Sequence, residues 1–232
     1  MVAIKGLEKF ASKDYPGYIT ATVFLGGCNF RCPFCHNADL VLRAETLPDL
    51  DWEKFLAFLD ERRDWLEAVC VSGGEPLLAP DLETLLRAVK ERGFRTKLDT
   101  NGSLPGKLED VIGSGLVDAV AMDVKAAPGK YWATVRSEVR EEDIGRSAEI
   151  LRGSGLEHMF RTTAVPGLVG EEDLVAIGRW LEGAALFQLQ VFSPRNTLDP
   201  EFLNVKPYCK ETMEKLADRV RPYFKEVRLE GV

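Results

Sequence analysis

Six apolar runs rich in β-branched residues alternate along this chain with stretches of helical periodicity. That alternation limits the fold more than any other feature of the sequence. The runs are Ile19–Leu25, Ala68–Ser72, Arg95–Asp99, Val117–Val124, Met159–Val165 and Phe187–Phe192, with a shorter one near Glu226–Leu229. Between them, Trp52, Phe55, Leu56 and Leu59 follow the i, i+3, i+4, i+7 spacing of one helix face, as do Leu82, Leu85, Leu86 and Val89. Shorter stripes fall at Leu108, Val111 and Ile112, at Ile144, Ala148 and Leu151, at Leu174, Ile177 and Leu181, and at Met213, Leu216, Ala217 and Val220. Each reads first of all as a helix face packed on a sheet. Strand–helix units in succession imply an α/β fold with a parallel sheet and right-handed crossovers. An open doubly wound sheet and a full or partial barrel both satisfy the pattern.

The chemistry-bearing residues lie where the runs end. Cys28–Cys35 follow the first run, Ser72–Glu75 end the second, Asp99–Gly102 the third, Asp123–Lys125 the fourth, Pro166–Gly167 the fifth and Ser193–Asn196 the sixth. Carboxyl ends of parallel strands are where barrel enzymes and open α/β proteins assemble their sites. Because every strand contributes, a partial (β/α)6 TIM-like barrel with its site at the carboxyl ends is the expected architecture. One domain over residues 1–232 is expected, with a core at 18–195 and a helical C-terminal extension at 196–232.

Composition narrows the partners. The 232 residues are 45% hydrophobic and 29% charged, ordinary values for a globular chain, and carry a formal charge of -7. A net negative field without a long basic run opposes phosphate binding and disfavours nucleic acid as a partner. The stretch Met1–Tyr15 lacks the apolar core of a signal peptide, and no apolar run reaches the roughly 20 residues that span a bilayer. A cytoplasmic location without a membrane partner is the expectation.

Five cysteines stand at 28, 32, 35, 70 and 209. The odd count and the clustering of three argue against a disulfide framework and for metal binding or catalysis. The segment from Gly26 to Asn37 reads Gly-Gly-Cys-Asn-Phe-Arg-Cys-Pro-Phe-Cys-His-Asn, bringing Cys28, Cys32 and Cys35 around one centre. Soft sulfur ligands select iron–sulfur clusters, zinc or Cu(I). Structural zinc needs a fourth ligand, and His36 is the candidate, although adjacent residues on an extended loop point apart. Three cysteines without a distant second pair suggest a cluster with one open iron, while structural zinc stays open as the alternative.

The Cys-x3-Cys-x2-Cys spacing, with Phe34 just before the last cysteine, resembles the signature of the radical S-adenosylmethionine (SAM) superfamily. The resemblance implies a [4Fe-4S] cluster held by Cys28, Cys32 and Cys35, with SAM on the open iron, Phe34 near its adenine and His36 as a further SAM contact. It also implies a Gly-Gly-Glu-like segment after the second strand for the methionine amino group, matched here by Gly73, Gly74 and Glu75. By themselves these three are a turn, in which glycine permits close approach and a carboxylate can pair with an ammonium. The segments Asp99-Thr100-Asn101-Gly102 and Asp123-Val124-Lys125 resemble those of activating enzymes of glycyl-radical proteins, which implies SAM contacts at Asp99, Asn101, Asp123 and Lys125. Read without the family, Asp123 and Lys125 share a strand face and suit a buried ion pair.

From about Gly6 to the C-terminus the pattern is most similar to the anaerobic ribonucleoside-triphosphate reductase activating family. That includes Val165-Pro166-Gly167 and Leu198-Asp199-Pro200 through Tyr208. The implied activity is reductive cleavage of SAM to a 5′-deoxyadenosyl radical that takes hydrogen from a glycine of a glycyl-radical protein, with anaerobic ribonucleotide reductase as the expected partner and flavodoxin or ferredoxin as the electron donor. Modification of another peptide or small molecule, and a non-enzymatic zinc or electron-transfer protein, are the competing readings. One departure stands out. A related activating family carries a SAM-contacting histidine after the sixth strand, whereas here Gln190-Val191-Phe192-Ser193-Pro194-Arg195 has none, and neither Gln190 nor Ser193 is assigned in its place. Arg161 and Thr163 share a strand face as supporting residues of the site, and His158, Cys70 and Cys209 read as structural or unassigned.

Overall fold

The structure, a computed structural model, describes residues 2–232; Met1, where the expected domain begins, lies outside them. Eight strands form one sheet in chain order: β1 (Ile4–Glu8), β2 (Thr20–Leu25), β3 (Ala68–Gly73), β4 (Arg95–Thr100), β5 (Ala119–Asp123), β6 (Glu157–Ala164), β7 (Leu186–Val191) and β8 (Glu226–Glu230). The pairings β2–β3, β3–β4, β6–β7 and β7–β8 are parallel, and β1 runs antiparallel on β2. The sheet is mostly parallel and open, with β1 and β8 at its edges. The α/β fold with parallel strands expected from the sequence, a partial rather than closed barrel, is borne out, and the sheet carries β1 and β8 outside the six expected strands.

The helices are α1 (Ala38–Leu42), α2 (Trp52–Glu61), α3 (Leu82–Glu91), α4 (Pro105–Gly113), α5 (Tyr131–Val135), α6 (Glu141–Gly153), α7 (Glu171–Trp180) and α8 (Lys210–Val220). All six longer ones fall on the apolar stripes. Leu82, Leu85, Leu86 and Val89 of α3 are buried, as are Met213, Leu216, Ala217 and Val220 of α8. In α2, Phe58 is buried beside Phe55 and Leu59, while Trp52 and Leu56 are only half-buried. Local chemistry sets the ends: Asp51 accepts from Lys54 N at 3.0 Å to start α2. Glu141, Glu142 and Asp143 open α6 and Arg152 closes it, in the sense the helix dipole favours.

The chain divides into two compact units. The first comprises residues up to Asn29, Asp39–Thr100 and Gly106–Val120. Its core is the buried inner run of β3 (Ala68–Val71) with the apolar faces of α2 and α3. Burying each large side chain of this kind contributes about 1.5–3 kcal/mol. The second comprises Phe30–Ala38, Asn101–Pro105 and Ala121–Val232. There Phe187 of β7 stacks on Phe224 with ring centroids 4.5 Å apart, and Tyr131 meets the edge of Trp180.

β1 and the five-residue helices α1 and α5 were not legible as elements. The expected C-terminal extension contains β8 as well as α8.

Candidate active site

In the first unit, β2 runs into Gly26, Gly27 and Cys28, and the end of β3 is knitted to the same stretch. Gly74 N donates to Leu25 O at 2.9 Å, and Glu75 N donates to Gly27 O at 2.8 Å. Glycine is dictated at both preceding positions. Gly73 has φ +118°, and a Cβ there would lie 2.3 Å from Leu25 O; a Cβ on Gly74 would lie 1.8 Å from Gly27 O. The two glycines therefore serve the approach of the β3 turn to the start of the cysteine loop.

The Glu75 side chain, 1% exposed, is engaged by its own unit. Its Oε1 accepts from Leu77 N at 3.1 Å and from Thr100 Oγ1 at 2.8 Å. Asp99 accepts from Ser72 Oγ at 3.1 Å and pairs with Lys97, which is 1% exposed and lies 3.7 Å from Cys70 Sγ. Sequence reasoning missed Lys97 and Thr100. The signal for Lys97 was present, because residues two apart on a strand share a face. Cys70 is fully buried in β3, consistent with a core residue.

In the second unit, Cys32 and Phe34 are buried, Cys35 is half-buried and His36 is exposed. Cys35 N donates to Cys32 O at 3.0 Å, closing a turn across these two cysteines. Asp123, the last residue of β5, is held between two cations. Arg161 Nε donates to its Oδ1 at 2.8 Å, and Lys125 Nζ to its Oδ2 at 3.1 Å. Burial would raise the Asp123 pKa, but Arg161 and Lys125 outweigh it and hold the carboxyl well below the usual carboxylate range. Burial likewise opposes the Lys125 charge, yet Asp123 and the nearby Cys32 and Cys35 push it up to about 12. Lys125 N donates to the hydroxyl of buried Tyr131 at 3.2 Å, and burial drives that phenol well above its ordinary pKa.

His36 is held below its ordinary pKa, first by desolvation and then by Lys125 and Arg161, against Asp123. Solvent still reaches this residue, so the two cations are the firmer part of that cause. Arg161 is thus a full member of the charged group. Asn101 Oδ1 accepts from Ser103 N at 2.9 Å and Ser103 Oγ at 2.6 Å, a local turn that uses the side chain to set the backbone.

The remaining candidates are elsewhere. His158 Nδ1 meets Leu156 O at 2.9 Å and its ring packs edge-on against Phe160, a structural placement. Cys209 is exposed at the start of α8, beside Thr212.

The donor chemistry distinguishes between metal groups. None of the five cysteines is in a disulfide. Lys125 lies within electrostatic reach of Cys32 and Cys35. His36 lies within electrostatic reach of Lys125 and Arg161, an unfavourable setting for a divalent zinc ligand. Among the described residues no three His, Cys, Asp or Glu side chains already converge as a metal group. Three soft sulfur donors and a cation fit a sulfide-bridged cluster better than a closed zinc site.

The radical SAM superfamily model matches residues 22–181, more than half of the chain. The chain belongs to the radical SAM superfamily. This radical SAM chain is 32% identical over 232 residues to a protein of Methanocaldococcus jannaschii assigned as a glycyl-radical enzyme activating enzyme, covering 97% of this chain and 94% of that one. It is 35% identical over 180 residues to the pyruvate formate-lyase-activating enzyme of Clostridium pasteurianum, covering 75% and 73% of the two chains. A 7-carboxy-7-deazaguanine synthase of Methanopyrus kandleri matches at 31% identity over 53% of this chain and 54% of that one. Among solved structures, SuiB of Streptococcus suis superposes with a TM-score of 0.67 at 18% identity, covering 89% of this chain but only 47% of SuiB, which shows a shared fold. Radical SAM enzymes use a [4Fe-4S] cluster and SAM, and these are the cofactors of this chain. No helix among the described residues is long and apolar enough to cross a membrane.

Proposed function

We propose that this radical SAM enzyme activates a glycyl-radical protein by removing hydrogen from a backbone glycine, with anaerobic ribonucleotide reductase as the partner and flavodoxin or ferredoxin as the electron donor. The observation that carries the reading is the match to the glycyl-radical enzyme activating enzyme along nearly the whole of both chains. The synthase match spans about half of each chain and therefore speaks for the common core.

The residue roles follow from chemistry. Cys28, Cys32 and Cys35 are the cluster ligands. When bound, the cluster supplies one electron to SAM, whose cleavage gives methionine and a 5′-deoxyadenosyl radical that takes the substrate hydrogen. The chain itself binds and orients. Lys125 is charged at any working pH and suits the methionine carboxylate. The Gly73–Gly74 backbone, with Glu75 and Asp99, suits the methionine ammonium and ribose side. Phe34 offers a buried aromatic face for adenine, and His36 and Asn101 complete the SAM contacts. Arg161 holds Asp123 ionised and so keeps the local charge fixed.

The test is anaerobic reconstitution with iron and sulfide, reduction, and measurement of 5′-deoxyadenosine from SAM. Cys32→Ala is expected to lose both cluster absorbance and cleavage. Incubation with an anaerobic ribonucleotide reductase is expected to give a glycyl-radical doublet in the EPR spectrum. Cleavage without that doublet, for this and other glycyl-radical proteins, would sink the substrate assignment.

A further inference from the structure

The residues of the loop after β7 turn onto the cysteine loop. Asn196 Nδ2 donates to His36 O at 3.2 Å, Leu198 N to Cys35 O at 3.0 Å, and Asp199 N to Pro33 O at 2.9 Å. Three carbonyls of the loop that carries Cys32 and Cys35 are thereby held by donors from one short segment. Asn196 has φ +52°, in the left-handed region that asparagine tolerates better than most side chains. A second support meets the same loop from α5, where Arg31 N donates to Val135 O at 2.8 Å. The next residue, Arg136, is also left-handed at φ 47° and donates from Nη1 to Asp199 Oδ2. The two supports are thus tied to each other, and Thr197 Oγ1 stiffens the segment by donating to Asp199 O at 2.8 Å.

We infer that residues 196–199 form a strap that positions Cys32 and Cys35, with Asn196 as the positioning residue that closes it on the cysteine loop. The inference rests on the reading of those cysteines as cluster ligands. Backbone bonds alone leave the segment free to swing with the loop. The Asn196 side-chain amide and the Arg136–Asp199 ion pair fix the segment from both sides, so the carbonyl framework behind the two sulfurs has one arrangement.

The test uses the full-length chain with and without its cluster. In the metal-free protein, Asn196→Ala is expected to speed amide exchange at Leu198 and Asp199 about fivefold, the effect of losing one ordinary hydrogen bond. In the reconstituted protein, the same variant is expected to release iron to a chelator about fivefold faster and to broaden the EPR signal of the reduced cluster. Asn196→Gly retains left-handed freedom and is expected to recover part of the exchange protection. Arg136→Gly relieves the left-handed strain but breaks the ion pair, so faster iron release is expected from it as well. A purely structural role predicts a lowered melting temperature with exchange accelerated throughout the sheet, and that result overturns the inference. So does unchanged exchange at Leu198 and Asp199, or iron release equal to wild type while exchange is accelerated. Should the wild-type chain take up no cluster, the proposed function fails, and the exchange measurements still decide whether the strap exists.

Discussion

The end of β3 and the charged group on β5 and β6 are built by opposite means. At the end of β3 the work is done by missing side chains: Gly73 and Gly74 let the turn lie on Leu25 and Gly27 at distances no Cβ permits. At the end of β5 and within β6 it is done by charge, with Asp123 between Lys125 and Arg161. The first region should be intolerant of any added atom. The second should tolerate changes of shape and respond to loss of charge.

The largest effect is expected at Gly74. Gly74→Ala forces backbone against backbone and should cost about 3–5 kcal/mol in urea denaturation, with SAM cleavage at background. A cost of a few tenths would break the steric side of the comparison. Asp123→Asn leaves two cations facing one another without their anion. A loss of about 1–3 kcal/mol is expected from the same measurement, since one partner of a part-buried ion group has been removed.

The third expectation concerns acid. Because the folded Asp123 pKa lies below its unfolded value, the group stabilises the fold above the ordinary carboxylate pKa of about 4, and that contribution is lost as pH falls from there through the folded value. Stability measured from pH 5 down to pH 2 should fall less steeply in Asp123→Asn than in wild type. Equal slopes would show that another carboxylate governs acid unfolding. The smallest effect is assigned to Thr100→Val, which removes the hydroxyl donor to Glu75 and should cost about 1 kcal/mol. If SAM cleavage drops far more than stability does, Glu75 acts on the ligand in addition to bracing its loop.

The strands and long helices were legible because burial imposes a period on them, and Leu82–Val89 of α3 is the clearest case. β1 was hidden by Lys5, Gly6 and Glu8, which break the apolar alternation in a strand of five residues. Helices α1 and α5 are too short for a 3.6-residue period to declare itself. The cysteines and the ends of β3, β4 and β5 stood out as motifs. What escaped was the bracing between elements: Thr100 on Glu75, and Asn196 on the cysteine loop. Those partnerships depend on strand register and loop path, which no local spacing carries. Arg161 was visible as a strand-face residue, but its partner Asp123 lies 38 positions away in sequence.

The knitting of Gly74 and Glu75 onto Leu25 and Gly27 also sets an order of events during synthesis. The parallel pairing of β2 with β3, from Thr20↔Ala68 to Leu25↔Gly73, joins segments far apart in sequence and closes a long loop before any contact rewards it. Gly27, the neighbour of Cys28, reaches its final hydrogen bond only after the ribosome has delivered Glu75. Iron and sulfide meeting the nascent chain earlier would encounter thiols on an unanchored segment. The segment leading into Cys28 is therefore anchored only after residues 68–75 have been made.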